Sequence, residues 1–101
     1  EIEEFLHTHP HVSEAQVIGI PSEKYGEEIM AWVRLRSDAQ CTVAELVAFC
    51  TGRIAHYKIP RHFKLVQEFP MTVTGKVQKY RMRELAIEEL GLQKAAGVRT
   101  A

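Results

Sequence analysis

The strongest constraint on the fold is the strict alternation of residues 29–36, IMAWVRLR, in which every second residue is aliphatic or alanine. Because the side chains of a strand point alternately to its two faces, this period predicts a half-buried strand. A β-branched run over residues 12–20, VSEAQVIGI, precedes it. The segment 22–28, SEKYGEE, reads as a turn between the two runs, so the pair predicts an antiparallel hairpin.

Three further segments carry the spacing of amphipathic helices. Ile2, Phe5 and Leu6, with His9 at the next position of the same spacing, predict a short first helix, which Pro10 ends. Thr42 and Glu45 form a capping box before a second helix. The apolar positions of that helix are Val43, Leu46, Val47, Cys50 and Ile54. A third helix is predicted over residues 77–90 with Gly91 as its stop. Its predicted buried positions are Tyr80, Met82, Leu85, Ala86 and Leu90.

A third strand over residues 62–67 completes the predicted order αββαβα. This order predicts an α+β fold, in which helices flank a small three-stranded antiparallel or mixed sheet with an early hairpin. A chain of 101 residues is long enough to bury one core. We expect one domain over residues 1–91 and a disordered tail over residues 92–101, which are small and polar.

The net charge of zero conceals two unlike halves. Residues 1–50 carry three basic and nine acidic side chains, whereas residues 51–101 carry ten basic and four acidic ones. Glu68 alone opposes the eight basic residues between Arg53 and Arg83. Such an asymmetry is typical of a chain with an anionic partner.

Several classes of site are not predicted. His7, His9 and His11 straddle a helix end and a proline, and no further ligand completes a zinc site, so no metal site is expected. Cys41 and Cys50 read as reduced thiols, with Cys50 in the core. No apolar run reaches the roughly 18 residues of a membrane span, and no serine-hydrolase, zincin or P-loop motif occurs.

The most informative stretch is residues 72–79, TVTGKVQK. Thr74 and Gly75 predict a tight polar turn, and Lys76 leaves this turn just before a helix. A lysine at such a place is most often a solvated surface charge. The alternative is a mobile point charge that a loop delivers to phosphate oxygens in another site.

The surrounding sequence favours the second interpretation. The string TGKVQKYRMREL, preceded by AHYKIPRHFKLVQEFP, resembles the C-terminal end of acyl-CoA synthetases of the AMP-forming adenylating family. The earlier segment PHVSEAQVIGIPSEKYGEEIMAWVRL resembles the same family. The TGK-V-Q-K form is more similar to fatty or aryl acid CoA ligases than to peptide synthetases. A fatty, medium-chain or related acyl-CoA synthetase is therefore expected.

The resemblance implies a mobile C-terminal lid domain whose large N-terminal domain and hinge lie upstream of Glu1. That larger domain would hold ATP, Mg²⁺ and the carboxylic acid. Lys76 would be the catalytic residue that contacts ATP and the acyl-adenylate. After adenylation the lid would rotate to support thioester formation with CoA. The contacts to CoA are expected at Tyr25, Gly26, Lys58 and Arg61.

The implied partners are the N-terminal domain, ATP, a fatty or other carboxylic acid, and CoA. No nucleic acid and no transmembrane segment is expected, and the isolated chain should be inactive. The implied location is the cytoplasm, or the mitochondrial matrix in a eukaryote. Two alternatives stay open: a small nucleic-acid-binding module that uses the basic stretch, and a non-catalytic interaction domain. Aromatic residues for base stacking are sparse, namely Tyr57, Phe63, Phe69 and Tyr80.

Overall fold

The computed structural model describes residues 1–93 and 95. Its elements are α1 (Ile2–His7), β1 (Val12–Ser22), β2 (Gly26–Leu35), α2 (Val43–Cys50), β3 (His62–Leu65) and α3 (Lys79–Leu90), with a 3₁₀ turn at His56–Lys58 before β3. The predicted α+β class and the order αββαβα are confirmed. The predicted disordered tail, residues 92–101, lies mostly outside the described residues and stays a prediction.

The three strands form one mixed sheet in the order β1-β2-β3. β1 and β2 form the predicted early hairpin, but only residues 23–25 separate them. The predicted turn over residues 22–28 was therefore too long. β2 and β3 run parallel, with Met30 opposite His62 and Val33 opposite Leu65. Parallel neighbours need a long crossover, and residues 36–61, which include α2, provide it.

The central strand β2 differs from its prediction as a half-buried strand. Met30, Ala31, Trp32 and Val33 are all almost fully buried, so both faces of the strand are covered over this stretch. Ala31 and Val33 belong to the hydrophobic core on one face of the strand, and Met30 and Trp32 are buried on the opposite face. Arg34 and Arg36, the polar residues of the alternation, lie only at the end of the strand and after it.

Helix α2 begins at the predicted capping box. The Thr42 hydroxyl accepts a hydrogen bond from the Glu45 N–H at 3.1 Å, and the Thr42 N–H donates to the Glu45 carboxylate at 3.2 Å. Two N–H groups at the helix start are thereby satisfied. Leu46 and Cys50 face inward and are fully buried. Val47, also expected in the apolar stripe, is more than one third exposed.

The described residues fall into two compact units. The first comprises residues 1–17 and 29–68. The aromatic rings of Phe5 and Phe49 stack at its side, with centroids 5.0 Å apart. Its core consists of Leu6, Val12, Ala15, Ala31, Val33, Cys41, Leu46 and Cys50. This core draws on α1, α2 and the sheet, which fixes the positions of the strands on which the site residues depend.

The second unit comprises residues 18–28 and the described residues from 69 onward. Met82 and Ala86 of α3 are fully buried as predicted. The predicted burial of Tyr80 and Leu90 is wrong, because both side chains are exposed. With two buried residues four positions apart, α3 presents only a narrow apolar stripe. The helix ends at Gly91 as expected, with a left-handed φ of 68°.

Strand β1 is an outer strand, and side chains bind its backbone. The Glu3 carboxylate accepts a hydrogen bond from the Val17 N–H at 2.6 Å. Two residues further, the Arg83 Nε donates to the Gly19 carbonyl at 3.2 Å. A Cβ at Gly19 would lie within 2.7 Å of the Glu27 carboxylate. Glycine therefore permits the side chain of Glu27 to lie against β1.

Candidate functional site

Lys76 lies at the base of a small hairpin that the sequence predicted only as a loop and turn. The Thr72 N–H donates to the Lys76 carbonyl at 2.8 Å, and the Gly75 N–H donates to the Thr72 carbonyl at 3.0 Å. Outside this pair, Met71 and Val77 form an antiparallel bridge. The arrangement is a β-turn of residues 72–75 closed by two paired segments, so the backbone of Lys76 is held on both sides.

The turn depends on Gly75 and on the hydroxyl of Thr72. Gly75 has a φ of 89°, a conformation that glycine adopts without the steric penalty of a side chain. The Thr72 hydroxyl accepts a hydrogen bond from the Lys76 N–H and contacts the Thr74 hydroxyl, both at 3.0 Å. These bonds fix the direction in which the side chain of Lys76 leaves the hairpin.

The side chain of Lys76 is exposed. Within residues 1–93 and 95, its ammonium group forms no ion pair with an acidic side chain. Val73 at the tip of the hairpin is fully exposed, and Met71 is half exposed. The hairpin therefore presents a cation beside apolar side chains, which suits insertion into an anionic site of another domain.

Tyr25 and Gly26 lie at the hairpin turn between β1 and β2. The Tyr25 N–H donates to the Ser22 hydroxyl at 3.1 Å, and the ammonium of Lys24 lies 5.2 Å from the centre of the Tyr25 ring. Gly26 has a φ of 82° and open space around its Cα. The turn thus presents a half-exposed phenol, a cation and an accessible backbone, the groups that can contact a nucleotide.

Lys58 lies in the 3₁₀ turn, where it is bound to an acidic residue. Its ammonium lies 2.8 Å from both carboxylate oxygens of Glu1. The hydrogen bond and charge of Lys58 lower the pKa of Glu1, and the same contact raises the pKa of Lys58. Sequence reasoning missed Glu1 as a partner. Because 57 residues separate the pair, no local pattern signals it.

Arg61 is exposed, and its backbone N–H donates to the Ile29 carbonyl at 2.9 Å. This bond fixes the chain just before β3 begins. Arg61 and Lys58 belong to the first unit, whereas Lys76, Tyr25 and Gly26 belong to the second. The predicted site residues are thus divided into two groups, and each group lies on turns adjoining strands or helices.

The other candidates are less suited to chemistry. The His11 N–H donates to the Nδ1 of His9 at 3.1 Å, which occupies one of the two ring nitrogens of His9 that could ligate a metal. Burial, with a smaller contribution from His11, lowers the pKa of His9. Both cysteines are buried, and burial raises the pKa of their thiols. No cluster of three metal-binding side chains occurs among the described residues.

Two further features bear on the alternatives. Phe69, one of the four aromatic residues considered for base stacking, is buried and cannot stack on a base. Within the part of the chain that the structure describes, no helix has the length and apolarity needed to cross a bilayer.

Comparison with known proteins places these features in a family. Residues 1–76 match the family described as the AMP-binding enzyme C-terminal domain. The chain is 53% identical over 92 residues to a mitochondrial medium-chain acyl-CoA ligase of Danio rerio. It is 46% identical over 92 residues to the ligase of the same name from Homo sapiens. Each alignment covers 91% of this chain and 15% of the relative.

Solved structures agree with this match. The fatty acyl CoA synthetase of Mycobacterium tuberculosis is similar, with a TM-score of 0.75 and 36% identity over 84% of this chain and 17% of that one. ATP-bound MatB from Rhodopseudomonas palustris has a TM-score of 0.80 and 32% identity, again over 84% and 17%. This chain thus spans about 15% of the length of the curated relatives it matches. Since the family match covers most of its residues, the chain belongs to the AMP-binding enzyme C-terminal domain family.

Proposed function

We propose that this chain acts as the mobile C-terminal domain of an AMP-forming fatty acid:CoA ligase. The named activities of its relatives, medium-chain acyl-CoA ligase and fatty acyl CoA synthetase, support this substrate class. The acid itself would bind in the large N-terminal domain. Two of these relatives are named mitochondrial, which supports a mitochondrial location rather than a cytoplasmic one.

The role proposed for Lys76 lies in the first half-reaction. There a carboxylate oxygen attacks the α-phosphorus of ATP, a new O–P bond forms, and the bond to pyrophosphate breaks. Lys76 would stabilise the negative charge that is shared between the acyl oxygens and the α-phosphate. The observation that carries this proposal is an exposed ammonium on a rigid hairpin without an acidic partner among the described residues. Mg²⁺ would bind in the N-terminal domain.

The second half-reaction would use the four residues predicted to contact CoA instead of Lys76. After rotation of the domain, Tyr25, Gly26, Lys58 and Arg61 would contact the nucleotide part of CoA. Lys58 would have to exchange the carboxylate of Glu1 for a phosphate oxygen. Their contact is at the surface, where an ion pair contributes little stability. This exchange therefore has a low energetic cost.

The test uses the full-length ligase that contains this chain, with Lys76→Ala. We expect the rate of acyl-adenylate formation, measured by pyrophosphate exchange, to fall by about 10²–10³-fold. This is the effect of removing one preorganised donor from a charged transition state. Thioester formation from supplied acyl-adenylate should largely persist. Lys79→Ala is the matched control, because it removes an exposed positive charge three residues away and should leave exchange nearly unchanged.

Two results would contradict the proposal. An equal loss of both half-reactions in the Lys76 variant would mean that the residue does not act specifically in adenylation. An equal loss of exchange in the Lys79 variant would mean that general basic charge, rather than the position of Lys76, is required.

A further inference from the structure

An open groove lies where the parallel strands β2 and β3 end. Its volume is about 690 Å³, within the range of about 300–1,000 Å³ of small-molecule sites. Its lining includes Ser13, Arg34, Arg36, Ser37, Leu65 and Gln67. The carboxyl ends of neighbouring parallel strands are the usual place for ligands in open sheets. All of these residues belong to the first unit.

The guanidinium groups of the two arginines in the groove make different contacts. The terminal nitrogen Nη2 of Arg34 donates to the Glu14 carboxylate at 3.2 Å and to the Ser13 hydroxyl at 3.4 Å. Arg36 uses only its Nε, which donates to the Pro10 carbonyl at 2.9 Å. Its two terminal nitrogens bind no other described residue. Arg36 is therefore oriented by one bond while its remaining donors stay available.

The charge balance of the groove is positive. Glu14 offsets the charge of Arg34, and the lining contains no acidic residue. Asp38 follows Ser37 in sequence but is exposed and outside the lining. The charge of Arg36 is thus left without an acidic neighbour in the lining, and the hydroxyl groups of Ser13 and Ser37 add neutral donors.

The other part of the lining is apolar. Leu65 is 40% exposed although it lies in a strand, and Leu35 and Val66 adjoin it in the groove. An exposed leucine alone needs no explanation. Beside a guanidinium with two available terminal nitrogens, however, it provides a surface for an apolar group attached to an anion.

We infer that this groove binds a small amphiphilic anion, with a phosphate or carboxylate on Arg36 and an apolar chain over Leu65. The planar guanidinium matches both head groups through two parallel hydrogen bonds. The site is distinct from the predicted CoA contact at Arg61. The Arg61 backbone N–H pairs with Ile29, six residues before the end of β2 at Leu35 and so roughly 20 Å away along the strand. The inference does not depend on the proposed function.

The experiment titrates the ¹⁵N-labelled full chain with octyl phosphate, octanoate, inorganic phosphate and octyltrimethylammonium, and follows amide chemical shifts. Octyl phosphate or octanoate should shift the amides of residues 34–37 and 65–67. Arg36→Gln should weaken binding about tenfold, the effect of losing a charge-assisted contact. Arg81→Gln is the matched control, because Arg81 is an exposed arginine of α3 outside the groove.

A second variant separates the two parts of the ligand. Leu65→Ser should weaken octyl phosphate binding but not the weaker binding of inorganic phosphate. Urea unfolding of each variant verifies that the fold persists, and the Leu65 result keeps the inference testable if the Arg36 variant is unstable. Absence of shifts at millimolar ligand, equal binding of the cationic amphiphile, or an equal loss in Arg81→Gln would each overturn the inference.

Discussion

Gly75 provides a direct test of the hairpin that holds Lys76. Its φ of 89° costs a side-chain-bearing residue about 1–2 kcal/mol. Alanine also lowers the conformational entropy of the unfolded chain, which offsets about 0.4–1 kcal/mol of this destabilisation. No heavy atom lies within 4 Å of a Cβ built at this position, so no steric clash is added. Gly75→Ala should therefore destabilise the chain by about 1 kcal/mol.

The assay is urea unfolding of the full chain, with variants that grade the backbone effect. Gly75→Asn should cost less than Gly75→Ala, because asparagine tolerates left-handed backbone better. Gly75→Val should cost the most, since β-branched residues are the least tolerant. In a chain of 101 residues, 1 kcal/mol corresponds to a shift in Tm of about 4–8 °C.

Gly52 is the matched control for function. Its φ of 82° and its open surroundings are nearly those of Gly75, but it follows α2 in the first unit. Both alanine variants should lose similar stability. In the full-length ligase, only Gly75→Ala should lower pyrophosphate exchange, by about fivefold if the strain is released by opening the hairpin. Equal stability of the Ala, Asn and Val variants, or equal loss of exchange in the Gly52 variant, would refute this reasoning.

Two further predictions concern stability. Leu46→Ala should cost about 2–5 kcal/mol by opening a cavity in the core, whereas Val47→Ala on the outer face should cost about 0.5 kcal/mol; similar losses in urea unfolding would contradict the assigned faces. The pKa of His9 is lower in the folded chain than in the unfolded chain. As pH falls through 6.5, His9 therefore binds a proton in the unfolded chain before it does so in the folded chain. Stability should therefore decrease from pH 7 to 5, and His9→Gln should reduce this dependence; an unchanged slope in the His9 variant would oppose it.

The sequence predicted the class of fold because its signals were local. The capping box, the early hairpin and the stop at Gly91 depend on residues a few positions apart, and all were confirmed. The burial of both faces of β2 was missed, although Met30 and Trp32 on its second face are apolar and indicated it. Tyr80 and Leu90 were misassigned because α3 buries only a narrow stripe, and helical spacing alone does not give its width.

The candidate site, too, was predicted only where its signals are local in the sequence. The turn before Lys76 follows from Thr74 and Gly75, since their residue types encode a tight turn. The pairing of Met71 with Val77 was not predicted, because one bridge leaves no alternation to detect. The contact between Lys58 and Glu1 depends on tertiary structure, which brings together residues 57 positions apart. Sequence therefore identified the cations and turns but not all their partners.

The outer edge of β1 has a consequence for association. Val17, Gly19 and Pro21 fall on alternate positions of this strand, where backbone groups point away from β2. The Val17 N–H donates to Glu3, the Gly19 carbonyl accepts from Arg83, and Pro21 has no N–H to donate. An incoming strand from another molecule would find no continuous row of donors and acceptors there. This side of the sheet is thus protected against edge-to-edge aggregation, although the strand is eleven residues long.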